Sequence, residues 1–257
     1  MNERKIGIMG AMPEEIEGVI QLLEDRKEFI LGRRTYYTGS IHGIPAVVVF
    51  SRWGKVAAAA TVTSLLLEFN VTEIIFTGVA GAIHSTLKIG DIVIAKRLIQ
   101  YDMDARPLMA QFEIPLLGKT FFESYEANIT IATIAVNDLI ETGHLQAAID
   151  PGSLQKFGIT APKQFTGDIA SGDKFFSNSD EKGSLTAALP SILCVEMEGA
   201  AVAQVCYEYD IPFTIIRTIS DTADEQSVID FPLFIKTVAS KYSVAVIKNI
   251  FRQLNTQ

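Results

Sequence analysis

The chain has 257 residues, 48% of them hydrophobic and 20% charged, with a net charge of −8. That composition excludes a disordered chain, and the length suffices to bury about 75% of the unfolded surface. No basic block exceeds a few residues and no apolar run approaches the ~18 residues that cross a bilayer, so nucleic acid and membrane are poor partners. The start, Met1-Asn-Glu-Arg-Lys-Ile6, leads straight into a strand with no signal-like apolar segment, and the two cysteines, Cys194 and Cys206, lie in or beside apolar runs. Both features read as a cytoplasmic protein in a reducing compartment, without a disulfide framework.

Strand and helix patterns alternate along the chain. An apolar strand at 5–9 meets a Gly10-Ala-Met-Pro13 turn. Pro13 suits a first helical turn, and Glu14, Glu15 and Glu17 suit its positive end. Strands are expected at 34–40 and 45–51, joined at His42-Gly43, and a helix at 55–69. A strand at 73–77 stops at Gly78-Val-Ala-Gly81, and another covers 91–98. A helix follows at 129–142, a strand at 164–170, a helix at 179–189 capped by Ser179 or Asp180, a strand at 193–197, a helix at 200–209 and a β-branched strand at 213–219. The last helix carries Phe231, Phe234, Ile235, Val238, Tyr242, Val246 and Ile250 at helical spacing. The 142–163 stretch reads as a surface excursion. The alternation predicts an α/β fold: one domain over 1–257, a three-layer α/β/α sandwich around a mixed, partly barrel-like sheet.

Three carboxylates stand out. Glu196 and Glu198 end one apolar strand and Asp221 ends another, at the carboxyl edge where α/β sheets bind ligands. A carboxylate there is costly to desolvate unless it has a partner or a job. Gly7-x-x-Gly10 and Gly78-x-x-Gly81 follow strands, yet neither is a dinucleotide or P-loop fingerprint, and on their own they read as tight turns. His42, His84 and His144 are scattered and no Cys-x-x-Cys occurs, so no metal site or cofactor is expected. No Gly-x-Ser-x-Gly elbow is present. Asp102 and Asp104 either line a site or face water.

Seven segments in one order carry a resemblance: Gly10-Ala-Met-Pro-Glu-Glu15, Gly54-Lys-Val-Ala-Ala58, Thr77-Gly-Val-Ala-Gly81, Leu87-Lys-Ile-Gly-Asp91, Ser171-Gly-Asp-Lys-Phe175, Val195-Glu-Met-Glu198 and Ser220-Asp-Thr-Ala-Asp224. Together, from about residue 5 to 250, they resemble the bacterial 5′-methylthioadenosine/S-adenosylhomocysteine nucleosidases of the purine nucleoside phosphorylase-like superfamily. The resemblance implies that Asp221 protonates or hydrogen-bonds N7 of adenine and that Glu15 orients and deprotonates the attacking water. It implies that Glu198 accepts from the ribose hydroxyls, Met197 packs on the sugar, Phe175 stacks on the base and the Phe176 backbone reads the base edge. Met12, Trp53, Ala80, Gly81, Glu196, Ser220 and Phe231 complete the expected surroundings of the substrate. A free Asp has a pKa near 3.9, so about one in a thousand is protonated at neutral pH. An effective acid at 221 therefore calls for burial and neighbouring carboxylates.

Relatives that use phosphate clamp it with arginines and a serine, at positions that here read Phe76 and Val79, and the first loop carries Glu15 instead of an arginine. Hydrolysis is therefore expected over phosphorolysis. Trp53, the single tryptophan, stands with Arg52 where the family has a small aliphatic residue, and 102–107 replaces another pocket wall. These departures leave the 5′ substituent open, including that of 6-amino-6-deoxyfutalosine. A non-catalytic nucleoside-binding protein would have lost one of Glu15, Glu198 and Asp221; all are present. The family also implies a homodimer, for which the apolar helix 57–69 is a fitting face.

Overall fold

The computed structural model describes residues 3–176, 178–223 and 227–255, without the side chains of 227–230. Its strands are β1 (Ile6–Gly10), β2 (Glu24–Leu31), β3 (Arg34–Ile41), β4 (Ile44–Phe50), β5 (Glu73–Ala82), β6 (Ile92–Gln100), β7 (Phe122–Glu123), β8 (Gln164–Ser171), β9 (Ile192–Glu196) and β10 (Phe213–Asp221). Its helices are α1 (Pro13–Ile20), α2 (Lys55–Phe69), α3 (Glu126–Glu141), α4 (His144–Ala147), α5 (Pro151–Lys156), α6 (Ser179–Ala188), α7 (Gly199–Glu208), α8 (Ser227–Phe234) and α9 (Ser240–Leu254).

All these strands share one mixed sheet, ordered β10-β6-β8-β9-β5-β1-β4-β3-β2, with β7 beside β6 and a further pairing of β10 with β5. That last pairing closes β5, β10, β6, β8 and β9 into a five-stranded barrel, from which β1, β4, β3 and β2 extend as an open wing. The expected mixed, partly barrel-like sheet is therefore present. Strands β1 and β10 are buried along their whole length, as parallel strands covered on both faces must be. One face packs against α1, α3 and α9 and the other against α2 and α7, which gives the three layers. Among the described residues no helix is long and apolar enough to cross a membrane.

Several elements depart from the sequence reading. Strand β2 was not expected: it is the sheet's edge, every residue is exposed, and so no buried face imprints an alternation on it. Strand β5 does not stop at Gly78 but runs to Ala82, so Gly78 and Gly81 are strand residues and not a turn. The cap of α6 is Asn178, whose side chain accepts from the Asp180 N–H, and neither Ser179 nor Asp180. The last helix is interrupted by a π-helical turn over Ile235–Ala239 between α8 and α9. The 142–163 stretch holds the short helices α4 and α5, its Leu145, Ile149, Phe157 and Ile159 packed into the core.

Candidate active site

The carboxyl ends of β1, β5, β9 and β10 converge on a cleft, at the strand ends where α/β sheets bind ligands. Glu15, Asp221, Glu198, Met197, Glu196, Phe175, Phe176, Ala80, Gly81, Met12, Trp53, Ser220 and Phe231 all line it, so the structure brings these thirteen candidate residues together.

Glu15 enters from the first turn of α1, which starts at Pro13. Its Oε2 accepts from the Ala11 N–H at 2.6 Å and the Met12 N–H at 3.0 Å. A further amide, Val79, and the nearby Arg217 also favour its ionised form, yet burial outweighs them and pushes its pKa up to about 7. Asp221 ends β10, where the pairing with β5 slips: Ile219 faces Ala80 and Asp221 faces Gly81, which leaves Ser220 as the extra residue of a bulge. Such a bulge re-aims the following side chain. Asp221 is buried and accepts from Ser220 Oγ at 2.6 Å and from the Ala223 N–H at 2.8 Å. The burial expected of it is present; its described partners are donors and not carboxylates. Asp224, in the same motif, lies outside the described residues.

The two β5 glycines each make room for one of these acids. A Cβ on Gly78 would fall 2.9 Å from Glu15 Oε1, and one on Gly81 would fall 2.9 Å from Asp221 Oδ1. The Gly-x-x-Gly spacing thus seats two carboxylates on one strand, which continues through both glycines because it stays paired with β10 and β9.

Glu196 and Glu198 close the cleft from β9 and the start of α7. Glu198 Oε1 accepts from the Gly54 N–H at 2.8 Å; burial, with Glu196 adding to it, raises its pKa to about 8. Glu196 lines the wall with its oxygens already engaged. They accept from the Ser171 hydroxyl, from the Glu198 and Gly199 amides, and from Arg217 Nε at 3.2 Å and Nη2 at 2.7 Å. Arg217 is the functional residue that the sequence reading passed over. It is 1% exposed, its Nη1 donates to the carbonyls of Phe76 and Ile216, and its guanidinium lies 4.1 Å from the Phe76 ring centre. The signal was available, since an arginine inside the apolar run 213–219 needs a buried anion.

Aromatic side chains form the remaining walls. Phe175 meets Phe231 edge to face at 5.5 Å, and Phe176 meets Tyr101 in the same way at 5.3 Å. Trp53 lines the mouth and is 57% exposed. Arg52 does not turn inward. Its backbone has φ +74°, and its guanidinium donates to the Arg33 carbonyl at 2.6 Å, outside the cleft. Residues 102–107 do not line the cleft either: Asp102 is turned to Lys55, and the exposed Asp104 pairs with Arg106.

The phosphorylase superfamily pattern matches residues 5–252, and the chain belongs to that superfamily. Within it the chain stands among the nucleosidases. It is 34% identical to the aminodeoxyfutalosine nucleosidase of Helicobacter pylori, over 92% of this chain and 93% of that one. It is 32% identical to the 5′-methylthioadenosine/S-adenosylhomocysteine nucleosidase of Oceanobacillus iheyensis, over 97% and 99%. In three dimensions it is similar to the 5′-methylthioadenosine/S-adenosylhomocysteine nucleosidase of Colwellia psychrerythraea in complex with adenine, with a TM-score of 0.86 and 29% identity over 98% and 96% of the two chains.

Proposed function

We propose that the protein, working as a single nucleoside phosphorylase-like domain in the cytoplasm, hydrolyses the N-glycosidic bond of 5′-methylthioadenosine and/or S-adenosylhomocysteine, releasing adenine and the 5-thioribose product. The observation that carries this reading is the pair of acids seated at Gly78 and Gly81. One is a carboxyl near neutrality, suited to take a proton from water; the other ends a buried strand, suited to serve the leaving base. As N7 accepts the proton of Asp221, the C1′–N9 bond breaks with its electron pair going to adenine. Water then adds to C1′ while Glu15 takes its proton. Glu198 accepts from the sugar hydroxyls, Met197 packs under the ribose, Phe175 stacks on adenine, and the Phe176 backbone meets the base edge. Glu196 acts from the wall by holding Arg217 and the start of α7.

Water is favoured over phosphate on electrostatic grounds. Among the described residues that line the cleft, the cations are Arg217, bound to Glu196, and Lys174, bound to Glu181. A phosphate dianion would meet Glu15 with no free cation beside it. Free adenine is therefore expected from methylthioadenosine in phosphate-free buffer with chelator present. Turnover that requires phosphate would overturn the hydrolase reading.

The half-exposed indole of Trp53 beside the cleft favours a short apolar 5′ group over a zwitterionic tail, all the more because Arg52 is turned away. In the same assay, kcat/KM is expected to be higher for methylthioadenosine than for adenosylhomocysteine, with a smaller gap in Trp53→Ile. Equal efficiencies in wild type and variant would remove Trp53 from substrate choice. A second reading rests on the aminodeoxyfutalosine nucleosidase relative; a kcat/KM for 6-amino-6-deoxyfutalosine above that for methylthioadenosine would select it.

A homodimer is part of the proposal. Val56 and Leu67 of α2 are 81% and 57% exposed, an apolar face suited to a second copy. Light scattering that returns the mass of one chain at micromolar concentration would refute it.

A further inference from the structure

Two consecutive amides at the start of α2 hold a carboxylate of the cleft and the carboxylate of Asp173, in the loop after β8. The Gly54 N–H donates to Glu198, and the Lys55 N–H donates to Asp173 Oδ1 at 2.7 Å. Asp173 opens the segment that carries Phe175 and Phe176. From there the contacts return to Lys55: the Asp173 N–H donates to Asp102 Oδ2 at 3.0 Å, and the Lys55 ammonium donates to Asp102 Oδ1 at 2.6 Å. Lys55, Asp102 and Asp173 thus close a ring across the loops after β6 and β8 and the first turn of α2. Gly54 is shaped to this ring, with φ +91° and room for a Cβ only 3.0 Å from Asp173 Oδ1.

The residues around the ring brace the same segment. Lys55 Nζ also donates to Gln100 Oε1 at 3.2 Å, and Gln100 donates to Gln204 on α7 at 2.6 Å. The Tyr101 N–H donates to the Ser171 carbonyl at 3.0 Å, and its ring packs on Gly172, where a Cβ would fall 2.4 Å from Cζ. The edge of the base-side segment is therefore fixed to the end of β6, and its first residue to the helix start that grips Glu198.

We infer that Lys55 and Asp102, which do not line the cleft, are positioning residues that lock the 173–176 segment at a set distance from Glu198. The inference rests on the reading above, in which Phe175 and Phe176 hold the base and Glu198 the sugar. Lys55→Met removes the cation, and Asp102→Asn leaves one acceptor for two donors. The Lys55 and Asp102 side chains are 17% and 31% exposed, so solvent screens the pair in part. A rise of about 3- to 10-fold in the Kd for adenine, measured by calorimetry, is expected in each variant. KM is expected to rise in parallel while kcat stays within about twofold. The double variant is expected to be no weaker than the weaker single one, because both break one ring. Lys55→Arg, which keeps the cation, is expected to bind adenine nearly as the wild type does.

Phe175→Ala serves as the control. Weakened adenine binding in that variant with wild-type Kd in both Lys55→Met and Asp102→Asn overturns the inference and leaves the base-binding reading standing. Unchanged adenine binding in Phe175→Ala overturns that reading, and the inference with it. Fewer binding sites at an unchanged Kd, with a lowered Tm, also overturns the inference, since that is a folding defect and not misplacement.

Discussion

Asp221→Asn is expected to lower kcat by about 10²–10⁴-fold, the span typical of a lost general acid. The amide fits the same space beside Gly81. Its oxygen keeps the Ala223 N–H, and the Ser220 hydroxyl turns to accept from the new NH₂. Under the proposed mechanism the variant loses the one thing that the reaction asks of this position, a proton delivered to N7. Adenine affinity, measured by titration calorimetry, is expected to change only a few-fold, because the amide still offers a donor to the base. A kcat within tenfold of wild type would strip Asp221 of its role.

Glu15→Gln is expected to cost as much and to change the pH profile besides. The carboxyl is raised from its usual range to about 7. A base must be ionised to act, so the wild-type kcat/KM is expected to rise with pH, roughly tenfold per unit below about 7 and levelling above it. The sign follows from the direction of the shift: an unperturbed glutamate would already be fully active at pH 6, whereas a raised one is mostly protonated there. In the glutamine variant that limb is expected to vanish together with turnover, while adenine still binds. Arg217 loses one anionic neighbour but keeps Glu196, so the variant should fold. Near-normal turnover in Glu15→Gln, or a wild-type profile flat from pH 5 to 8, would show that the base lies elsewhere.

The sequence made the fold legible where burial leaves a pattern. β1, β4, β6 and β10 are covered on at least one face, and their apolar runs announced them. β2 reads Glu-Asp-Arg-Lys-Glu before its three apolar residues, and a fully exposed edge has no inward face to impose alternation. The glycines of β5 misled in the opposite way: a residue type that ends strands is present because two carboxylates need the space of its missing Cβ. Residue chemistry alone marked Glu196, Glu198 and Asp221, since acids at the ends of apolar runs are conspicuous. Glu15 looked like any acid in a first helical turn, and Phe175, Phe176 and Trp53 like any aromatic residues; order and resemblance singled them out. The network that ties Lys55 to Asp102 and Asp173 spans positions more than 40 residues apart. No local pattern encodes such a closure.

The branching of β5 separates two kinds of evolutionary change. This strand pairs with β1, β10 and β9 at once, so the seats of Glu15 and Asp221 are fixed from three sides by backbone ladders. The mouth is instead built from loops, the 51–54 segment with Trp53 and the 172–176 segment with Phe175, neither of them a rung of the sheet. Under the proposed function, a substitution in those loops bears on which substituent is admitted, whereas one at Gly78 or Gly81 of β5 bears on the acid seated there. Selection can therefore retune the guest while the bond-breaking machinery stays still. Under the reading proposed here, that division accounts for relatives of about one-third identity that bear the names of different nucleosides and of one reaction.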